Sequence, residues 1–425
     1  MQYHNKIYIT LLSLILTTTS ACKKAKVAVD DAEEIVSPAT GTRSQLTIDS
    51  IFLYAQNVYL WNDVLPGYAD FNPRHKYAGM ASDIITFRKE LFDISQLKIN
   101  PANGKPYELP VYSENPKYSN LQLGRRVPGS TAAVSNPNTA VLANKVIVSG
   151  NTKVAYLALA SFPSLNNSKA ALDQAFSEFE AERPTVMVID LRSNGGGYLE
   201  TAEYIADLIA PAGLNGKVMY SEVFNPSMQN GAAKILKHQP YLDKDGKTAI
   251  YNGRMATMAD VDYTIAGNTY KFHKKGNLKS IQSVYFIVSG NTASASEMLI
   301  SSLKPYFEVK LIGERTYGKP VGFFGINIDQ YSVYLGSFLI RNANGWSDYF
   351  TGMEPDVAVK GADQPVLGDP AESCLKAALE MISGTKKMSQ SKLATTDKLV
   401  TVKTDLSQPV VTESIMFENR LRLRK

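Results

Sequence analysis

Apolar residues recur at helical spacing from Thr47 onward. They fall three or four positions apart, at Ile51, Tyr54, Val58 and Trp61. This spacing places them on one face of a helix, with Thr47 or Asp49 as the possible cap. A second stretch near residues 81–91 has the same character. Together the two stretches predict a small N-terminal helical domain over residues 47–100.

Further along, apolar runs of strand length alternate with helical stretches. The runs lie at residues 154–159, 186–191 and 284–288, and the clearest helical patterns lie at 199–209 and 295–303. This alternation predicts an α/β core. We expect the core to span residues 101–385, with an insertion of hairpins and loops at about 215–280. Residues 386–425 are predicted to form a polar C-terminal tail.

The first residues carry the pattern of an export signal. An apolar run at residues 7–16 is too short to cross a bilayer, and small residues stand directly before Cys22. Cleavage there would remove residues 1–21 as a signal peptide and free Cys22 for lipidation. Residues 22–46 would then form a flexible tether. The alternative is an ordinary cleaved signal followed by an incidental cysteine.

This pattern predicts an exported lipoprotein of the cell envelope, anchored in the outer membrane and facing the periplasm or the exterior. The net charge is +5, from 45 Lys and Arg against 40 Asp and Glu. The basic stripe of a nucleic-acid binder is not evident. Cys374 lies on the apolar side of a predicted helix and is expected to pack there. Metal-site cysteine spacing is missing from the sequence, so we expect no metal, no cofactor and no nucleic-acid partner.

Two strand–turn–helix junctions hold candidate chemistry. The first ends in Gly195, Gly196 and Gly197, and glycines let backbone N–H groups approach a developing oxyanion. The other interpretation is a tight connection that needs glycine for its geometry alone. The second junction presents Ser294 at a helix start, where the helix dipole stabilises negative charge. Ser294 and Glu297 also have the spacing of a capping box, which is the structural alternative.

A later loop, residues 313–319, nearly matches a phosphate-binding loop that ends at Lys319. Pro320 stands where such a loop needs Ser or Thr as a magnesium ligand. Nucleotide binding is therefore not expected, and the remaining alternative is a surface lysine after a turn.

In this order the three sites resemble the C-terminal processing, or tail-specific, serine peptidases. The resemblance covers roughly residues 153–359 and rests on the strings at 190–197, 294–297 and 316–319. The N-terminal helical segment looks like that of Bacteroidetes-type members. The resemblance implies a ClpP/crotonase-like core of repeated strand–strand–helix units. It also implies a serine endopeptidase that hydrolyses envelope or extracellular polypeptides.

By the same resemblance, Ser294 is the nucleophile and Lys319 the general base. The N–H groups of Gly196 and Ala295 would form the oxyanion hole, with Glu297 supporting the helix start. The chemistry is consistent on its own terms, because a serine hydroxyl needs a base and none of the four histidines lies in a glycine-rich junction. Lysine serves only as the neutral amine, so its pKa must fall by about three units from about 10.4 through burial in an apolar pocket away from carboxylates.

Two departures from the family pattern matter. Phe323 stands where many members have a glutamine that orients the lysine. Only residues 101–153 separate the helical domain from the first predicted core strand, which is short for the PDZ domain that often captures a substrate's C-terminus. The alternative function is therefore a catalytically inactive peptide-binding lipoprotein on the same fold.

Overall fold

The computed structural model describes residues 36–110, 113–125, 140–243, 246–360, 365–385 and 420–424. Cys22, the predicted signal peptide and most of the predicted tether lie outside these residues, as does most of the predicted tail. Among the helices that are described, none has both the length and the apolar character required to cross a membrane.

The helices and strands are numbered separately in chain order. The helices are α1 (Arg43–Val58), α2 (Tyr68–Phe71), α3 (Pro73–Lys76), α4 (Asp83–Ser95), α5 (Leu165–Glu182), α6 (Leu199–Ile209), α7 (Pro226–Gln229), α8 (Ala295–Leu303) and α9 (Ser373–Ile382). The strands are β1 (Ile99–Asn100), β2 (Lys105–Pro106), β3 (Asn120–Leu123), β4 (Val141–Ser149), β5 (Thr152–Leu159), β6 (Val186–Asp190), β7 (Val218–Phe224), β8 (Ile250–Tyr251), β9 (Arg254–Met255), β10 (Thr269–Lys271), β11 (Ser283–Val288), β12 (Glu308–Gly313), β13 (Val321–Ile328), β14 (Tyr331–Asn342) and β15 (Val357–Ala358).

The N-terminal region is helical, as predicted. The apolar face of α1 packs on α4 and on strands β13 and β14, and Phe52 stacks on Phe71 with ring centroids 4.1 Å apart. The predicted cap is wrong. Thr42 caps α1, because its hydroxyl accepts the N–H of Gln45 at 3.2 Å and the Gln45 side chain accepts the N–H of Thr42 at 2.9 Å. The spacing of apolar residues correctly predicted which face of α1 is buried, but it did not show where the helix begins.

A six-stranded sheet forms the centre of the core, in the order β15-β12-β11-β6-β5-β4. Five strands are parallel and β4 pairs antiparallel with β5 at one edge. Successive side chains of a strand point to opposite faces. Along β5, Ala155, Leu157 and Leu159 join the core that contains α5, α6 and α8, whereas Val154, Tyr156 and Ala158 join the core under α9. The α/β fold class is therefore confirmed.

A second, antiparallel sheet has the order β10-β7-β14-β13, with β3 also beside β14. Helix α8 contacts β7 and β14 of this sheet and α6. Strands β7 and β10 come from the predicted insertion at about 215–280. The chain passes from the first sheet to the second between β12 and β13, so the segment that carries Lys319 lies where the two sheets are joined.

Two C-terminal features complete the fold. Cys374 is only 2% exposed and packs in the core under α9, which confirms its predicted role. Residues 420–424 lie alongside residues 260–262, where the N–H of Asp262 donates to the carbonyl of Arg422 at 2.8 Å. The Arg420 guanidinium pairs with Glu203 at 2.5 Å, so this short segment is fastened by both backbone and charge.

Candidate active site

The two predicted junctions lie side by side. Strands β6 and β11 are parallel neighbours, so the turns after them open at the same edge of the sheet. Hydrogen bonds join the two turns directly. The hydroxyl of Thr292 donates to the carbonyl of Leu191 at 2.8 Å, and the hydroxyl of Ser296 donates to the carbonyl of Asn194 at 3.1 Å. The fold therefore brings together residues separated by about a hundred positions in the chain.

Ser294 stands at the sharpest point of the second turn, immediately before α8. Its backbone has φ 57° and ψ −118°, a conformation that costs a non-glycine residue about 1–3 kcal/mol and that clusters at functional sites. A serine on such a strand-to-helix turn has the geometry of a nucleophile elbow. The residue is 5% exposed.

Glu297, in the first turn of α8, is fully buried and joins the serine turn to the lysine loop. Its Oε2 accepts the N–H of Ser294 at 3.1 Å and the N–H of Lys319 at 2.7 Å. Its Oε1 accepts the N–H of Gly318 at 2.7 Å and the hydroxyl of Thr316 at 2.5 Å. Because one oxygen accepts from both Ser294 and Lys319, their backbone nitrogens lie within two hydrogen-bond lengths of each other.

The sequence predicted Glu297 only as a support for the helix start, and the structure extends this role. Burial raises the pKa of Glu297, while the hydrogen bonds from Thr316 and from the Lys319 and Gly318 backbone act in the opposite direction. The carboxylate is thus solvated by protein donors in place of water. A fifth contact ties the same two segments, since the N–H of Tyr317 donates to the carbonyl of Thr292 at 3.0 Å.

The lysine loop runs from the end of β12 to β13 and places Lys319 in a half-buried position. Its Nζ lies 4.9 Å from the centroid of the Phe323 ring, which is 2% exposed. Phe323 therefore covers part of the lysine side chain at the position where the family pattern has glutamine. Gly318 has φ +88°, and a Cβ there would come within 2.4 Å of the Gly352 nitrogen, so the turn into Lys319 requires glycine.

The glycine turn packs directly on the serine. A Cβ on Gly196 would lie 3.0 Å from Ser294 Cβ and 3.2 Å from the Ala295 nitrogen. The N–H of Gly196 donates to Asn194 Oδ1 at 2.9 Å. This N–H would have to exchange the Asn194 oxygen for a substrate oxyanion in order to serve as predicted.

The neighbouring glycines have different surroundings. A Cβ on Gly197 would collide with the Phe162 carbonyl oxygen at 2.2 Å, whereas one on Gly195 would meet the Asn291 carbonyl oxygen only at 3.9 Å. The main chain of Phe162 thus leaves no space for a side chain at position 197, whereas position 195 has space for a Cβ.

Sequence patterns missed two residues of this region, namely Lys117 and Tyr118. Lys117 Nζ donates to the carbonyls of Tyr317 at 2.9 Å and Phe350 at 2.7 Å. The Tyr118 hydroxyl donates to the carbonyl of Gly318 at 2.9 Å. Burial is the main cause that lowers the pKa of Lys117 to about 8; the Glu297 carboxylate opposes this shift and the charge of Lys319 adds to it. Both residues precede the lysine loop by about two hundred positions, within an aperiodic stretch that gave no signal.

Other site types find little support in the described ranges. Within them, no group of three or more His, Cys, Asp or Glu side chains could hold a metal ion. The N–H groups of Gly318 and Lys319, which a phosphate-binding loop would direct at an anion, donate to Glu297. The loop is therefore built around a carboxylate of the protein itself.

Comparison with known proteins gives one family match, in which peptidase family S41 matches residues 153–359. The chain is 30% identical over 167 residues to the chloroplastic C-terminal processing peptidase of Tetradesmus obliquus, covering 39% of this chain and 26% of that protein. It is 26% identical over 234 residues to the carboxy-terminal processing protease CtpB of Bacillus subtilis (strain 168), covering 53% of this chain and 38% of CtpB. The chain thus spans well under half the length of these relatives.

Solved structures give more distant likenesses. A putative S41 protease from Bacteroides fragilis aligns with a TM-score of 0.45 and 24% identity, over 59% of each chain. The photosystem II D1 C-terminal processing protease aligns with a TM-score of 0.47 and 16% identity, over 79% of this chain and 100% of that one.

Proposed function

Because the chain carries a peptidase family S41 domain over residues 153–359 and is a homologue of the C-terminal processing peptidases, we propose that it is a serine endopeptidase. Ser294 acts as nucleophile and Lys319 as general base, and the substrates are polypeptides. The observation that carries the proposal is Glu297, whose single Oε2 accepts from the backbones of both Ser294 and Lys319.

In the proposed mechanism, the neutral Lys319 amine takes the proton of the Ser294 hydroxyl as the oxygen attacks the scissile carbonyl. The N–H groups of Ala295 and Gly196 stabilise the oxyanion of the tetrahedral intermediate. The Lys319 ammonium then gives its proton to the leaving amine, and an acyl-enzyme remains on Ser294. Water, deprotonated by Lys319, hydrolyses the ester, and the returned proton restores the serine.

Three structural features support these roles. The turn conformation at Ser294 is held by surrounding contacts, as a strained functional residue requires. Helix α8 begins at Ala295, so the positive end of its dipole lies beside the developing negative charge. Phe323 covers the Lys319 side chain at the position of the usual glutamine, so packing of a ring would replace a hydrogen bond in orienting the amine.

The test compares hydrolysis of an unfolded protein substrate by the wild type, Ser294→Ala and Lys319→Ala. Both variants should lose activity by at least about 1,000-fold, as expected when a member of a cooperating catalytic set is removed. Ser301→Ala is the matched control, because Ser301 lies in the same helix and its buried hydroxyl has no hydrogen-bond partner within the described residues. Equal inertness of all four proteins, with peptide still bound, would favour the catalytically inactive peptide-binding alternative.

We also propose that the protein is exported and lipidated at Cys22, so that its substrates are envelope or extracellular polypeptides. The apolar run at residues 7–16 and the small residues before Cys22 support this proposal. Labelling of growing cells with a radioactive fatty acid should mark the wild-type protein and not Cys22→Ser. Equal labelling of the two proteins would contradict lipidation at this position.

A further inference from the structure

The loop that carries Lys319 is held from two opposite sides. On its N–H side, Glu297 accepts from Gly318 and Lys319. On its carbonyl side, Lys117 donates to Tyr317 and Tyr118 donates to Gly318. The two backbone groups of each peptide unit are thereby satisfied by side chains from different parts of the molecule. Such two-sided bonding fixes the orientation of the loop more firmly than either side alone could.

Lys117 also joins this loop to the segment that follows β14. Its ammonium donates to the Phe350 carbonyl as well as to Tyr317. Gly318 is pressed against the same segment, since a Cβ there would lie 2.6 Å from the Phe350 carbonyl oxygen. The Lys117 amine thus links two backbone segments, one at Tyr317 and one at Phe350, that lie on either side of the turn into Lys319.

The two residues that follow Lys117 in the chain are held by hydrogen bonds to a buried carboxylate. The buried Glu108 carboxylate accepts the N–H groups of Tyr118 and Ser119 at 3.0 and 2.7 Å, and the Ser119 hydroxyl at 2.7 Å. Ser119 Oγ in turn accepts the N–H of Gly336 in β14 at 3.0 Å. The segment before β3 is therefore anchored to the second sheet.

The charges around Lys117 bear on the chemistry of Lys319. The titratable groups facing this amine are Glu297 of α8, Lys319 and Tyr317 of the loop, and Tyr118 beside it. Burial raises the pKa of Tyr118 well above its ordinary value, so this tyrosine stays neutral. Repulsion by Lys319 contributes to the lowered pKa of Lys117, so the charges of the two side chains interact.

We propose that Lys117 is a positioning residue for the Lys319 base, which fixes the carbonyl side of the loop and sets a second positive charge beside the catalytic amine. This inference rests on the proposed function. Lys117 lies outside residues 153–359, so the family match does not assign it a role.

The positive charge of Lys117 bears on the proposed mechanism, which requires Lys319 to act as a neutral amine. The face of the Phe323 ring, 4.9 Å from Lys319 Nζ, attracts a cation, and so does the Glu297 carboxylate. A neighbouring cation favours the neutral amine, as in other enzymes that activate a lysine beside a second positive group. Lys117 supplies that cation and is kept in place by two carbonyl acceptors.

The test replaces Lys117 by Met, which removes both charge and hydrogen bonds, and by Gln, which removes the charge and keeps a donor for one carbonyl. Lys117→Arg retains the charge. Lys274→Met is the matched control, because Lys274 is a partly buried lysine that donates to the carbonyl of Leu208 at the far end of α6 and also has its pKa lowered to about 8 by burial.

Two readouts are used for each protein. One is the acidic limb of the pH profile of kcat/KM, which reports deprotonation of the base in the free enzyme. The other is the pH dependence of trace acylation of the Lys319 amine, measured by mass spectrometry, which needs no peptidase activity. Both midpoints should move to higher pH by about one unit in Lys117→Met and Lys117→Gln. They should stay within a few tenths of a unit in Lys117→Arg and Lys274→Met.

The outcomes separate this inference from the proposed function. If the wild type hydrolyses no peptide, the proposed function fails, and the acylation titration still decides the role of Lys117. If hydrolysis is present and the midpoints of both neutral variants stay at the wild-type value, the inference is overturned. Thermal unfolding of each variant identifies any that does not fold, and Lys117→Gln carries the test where Lys117→Met is unstable.

Discussion

The turn after β6 and the turn after β11 both hold buried carboxylates at the same edge of the sheet, but they neutralise them differently. After β6, Arg192 pairs with Asp190 at 2.8 Å and with Glu372 at 2.8 Å. After β11, Glu297 accepts three backbone N–H groups and one hydroxyl. In the first cluster an arginine forms ion pairs with two carboxylates. In the second cluster backbone N–H groups and a hydroxyl solvate one carboxylate.

The two clusters therefore have different roles: the Arg192 cluster stabilises the fold, and the Glu297 cluster lies at the proposed catalytic site. The Arg192 guanidinium offsets the burial of Glu372 and lowers the pKa of that carboxyl to about 2. Since Glu372 caps α9 by accepting the N–H of Leu375 at 3.0 Å, the ion pair fastens α9 to the sheet. Near Glu297 lies Lys117, whose pKa of about 8 lets it lose a proton close to neutral pH. The charge state of the second region can therefore change near neutral pH, whereas that of the first changes only in acid, as the pH falls towards 2.

The largest expected effect comes from removing the ion pairs of Arg192 with Asp190 and Glu372. Arg192→Met would leave Asp190 and Glu372 buried without their cation, and removing one partner of a buried pair costs about 3–5 kcal/mol. Urea unfolding at pH 7 should show this loss. The fraction that stays folded should still acylate Ser294 at close to the wild-type rate. A cost below about 1 kcal/mol would mean that the cluster does not hold α9.

Glu297→Gln tests the second cluster, in which N–H and O–H donors surround the buried carboxylate. Both oxygens of Glu297 accept hydrogen bonds, so either orientation of the amide turns its NH₂ group towards N–H or O–H donors. The serine turn and the lysine loop should then separate, and misplacement of this kind lowers kcat/KM by about 100-fold, or roughly 2.7 kcal/mol. Glu372→Gln is the matched control and should retain activity within a few-fold. Equal losses in both variants would remove the distinction between the two regions.

The pH dependence of stability sharpens the comparison further. The folded-state pKa of Glu372 is about 2, below the ordinary value of about 4.3, so its stabilisation is present above pH 5 and is lost as the pH falls towards 2. The difference in unfolding free energy between wild type and Glu372→Gln, on the order of 2 kcal/mol at pH 6, should therefore shrink as the pH falls. A difference that grows on acidification would contradict this assignment.

The smallest effect is expected from cutting one link between the two turns. Ser296→Ala removes the donor to the Asn194 carbonyl, which still accepts the N–H of Ala293 at 3.3 Å. No acceptor is orphaned, so the cost should be about 1 kcal/mol, with a few-fold change in activity. Differential scanning calorimetry and initial-rate assays measure the two quantities. A much larger loss of activity at unchanged stability would show that Ser296 contributes to the chemistry itself.

The sequence predicted what depends on local pattern. The alternation of strands and helices, the glycines at 195–197 and the serine before α8 all belong to short strings whose geometry follows from neighbouring residues. The cap of α1 was misjudged because Thr42 precedes the apolar period. The contacts of Lys117 and Tyr118 could not be foreseen, because they join segments about two hundred residues apart and their own surroundings have no periodicity. Glu297 was found by its spacing from Ser294, but its reach to Lys319 is a tertiary property.

The most direct test measures the rate at which an active-site acylating reagent modifies Ser294 in folded wild type, Glu297→Gln and Arg192→Met, with mass spectrometry identifying the modified residue. If Glu297 joins nucleophile and base, acylation should slow by about 100-fold in Glu297→Gln and stay within a few-fold of wild type in folded Arg192→Met. Undiminished acylation in Glu297→Gln would contradict the role of this carboxylate, and absence of Ser294 labelling in the wild type would contradict the nucleophile itself.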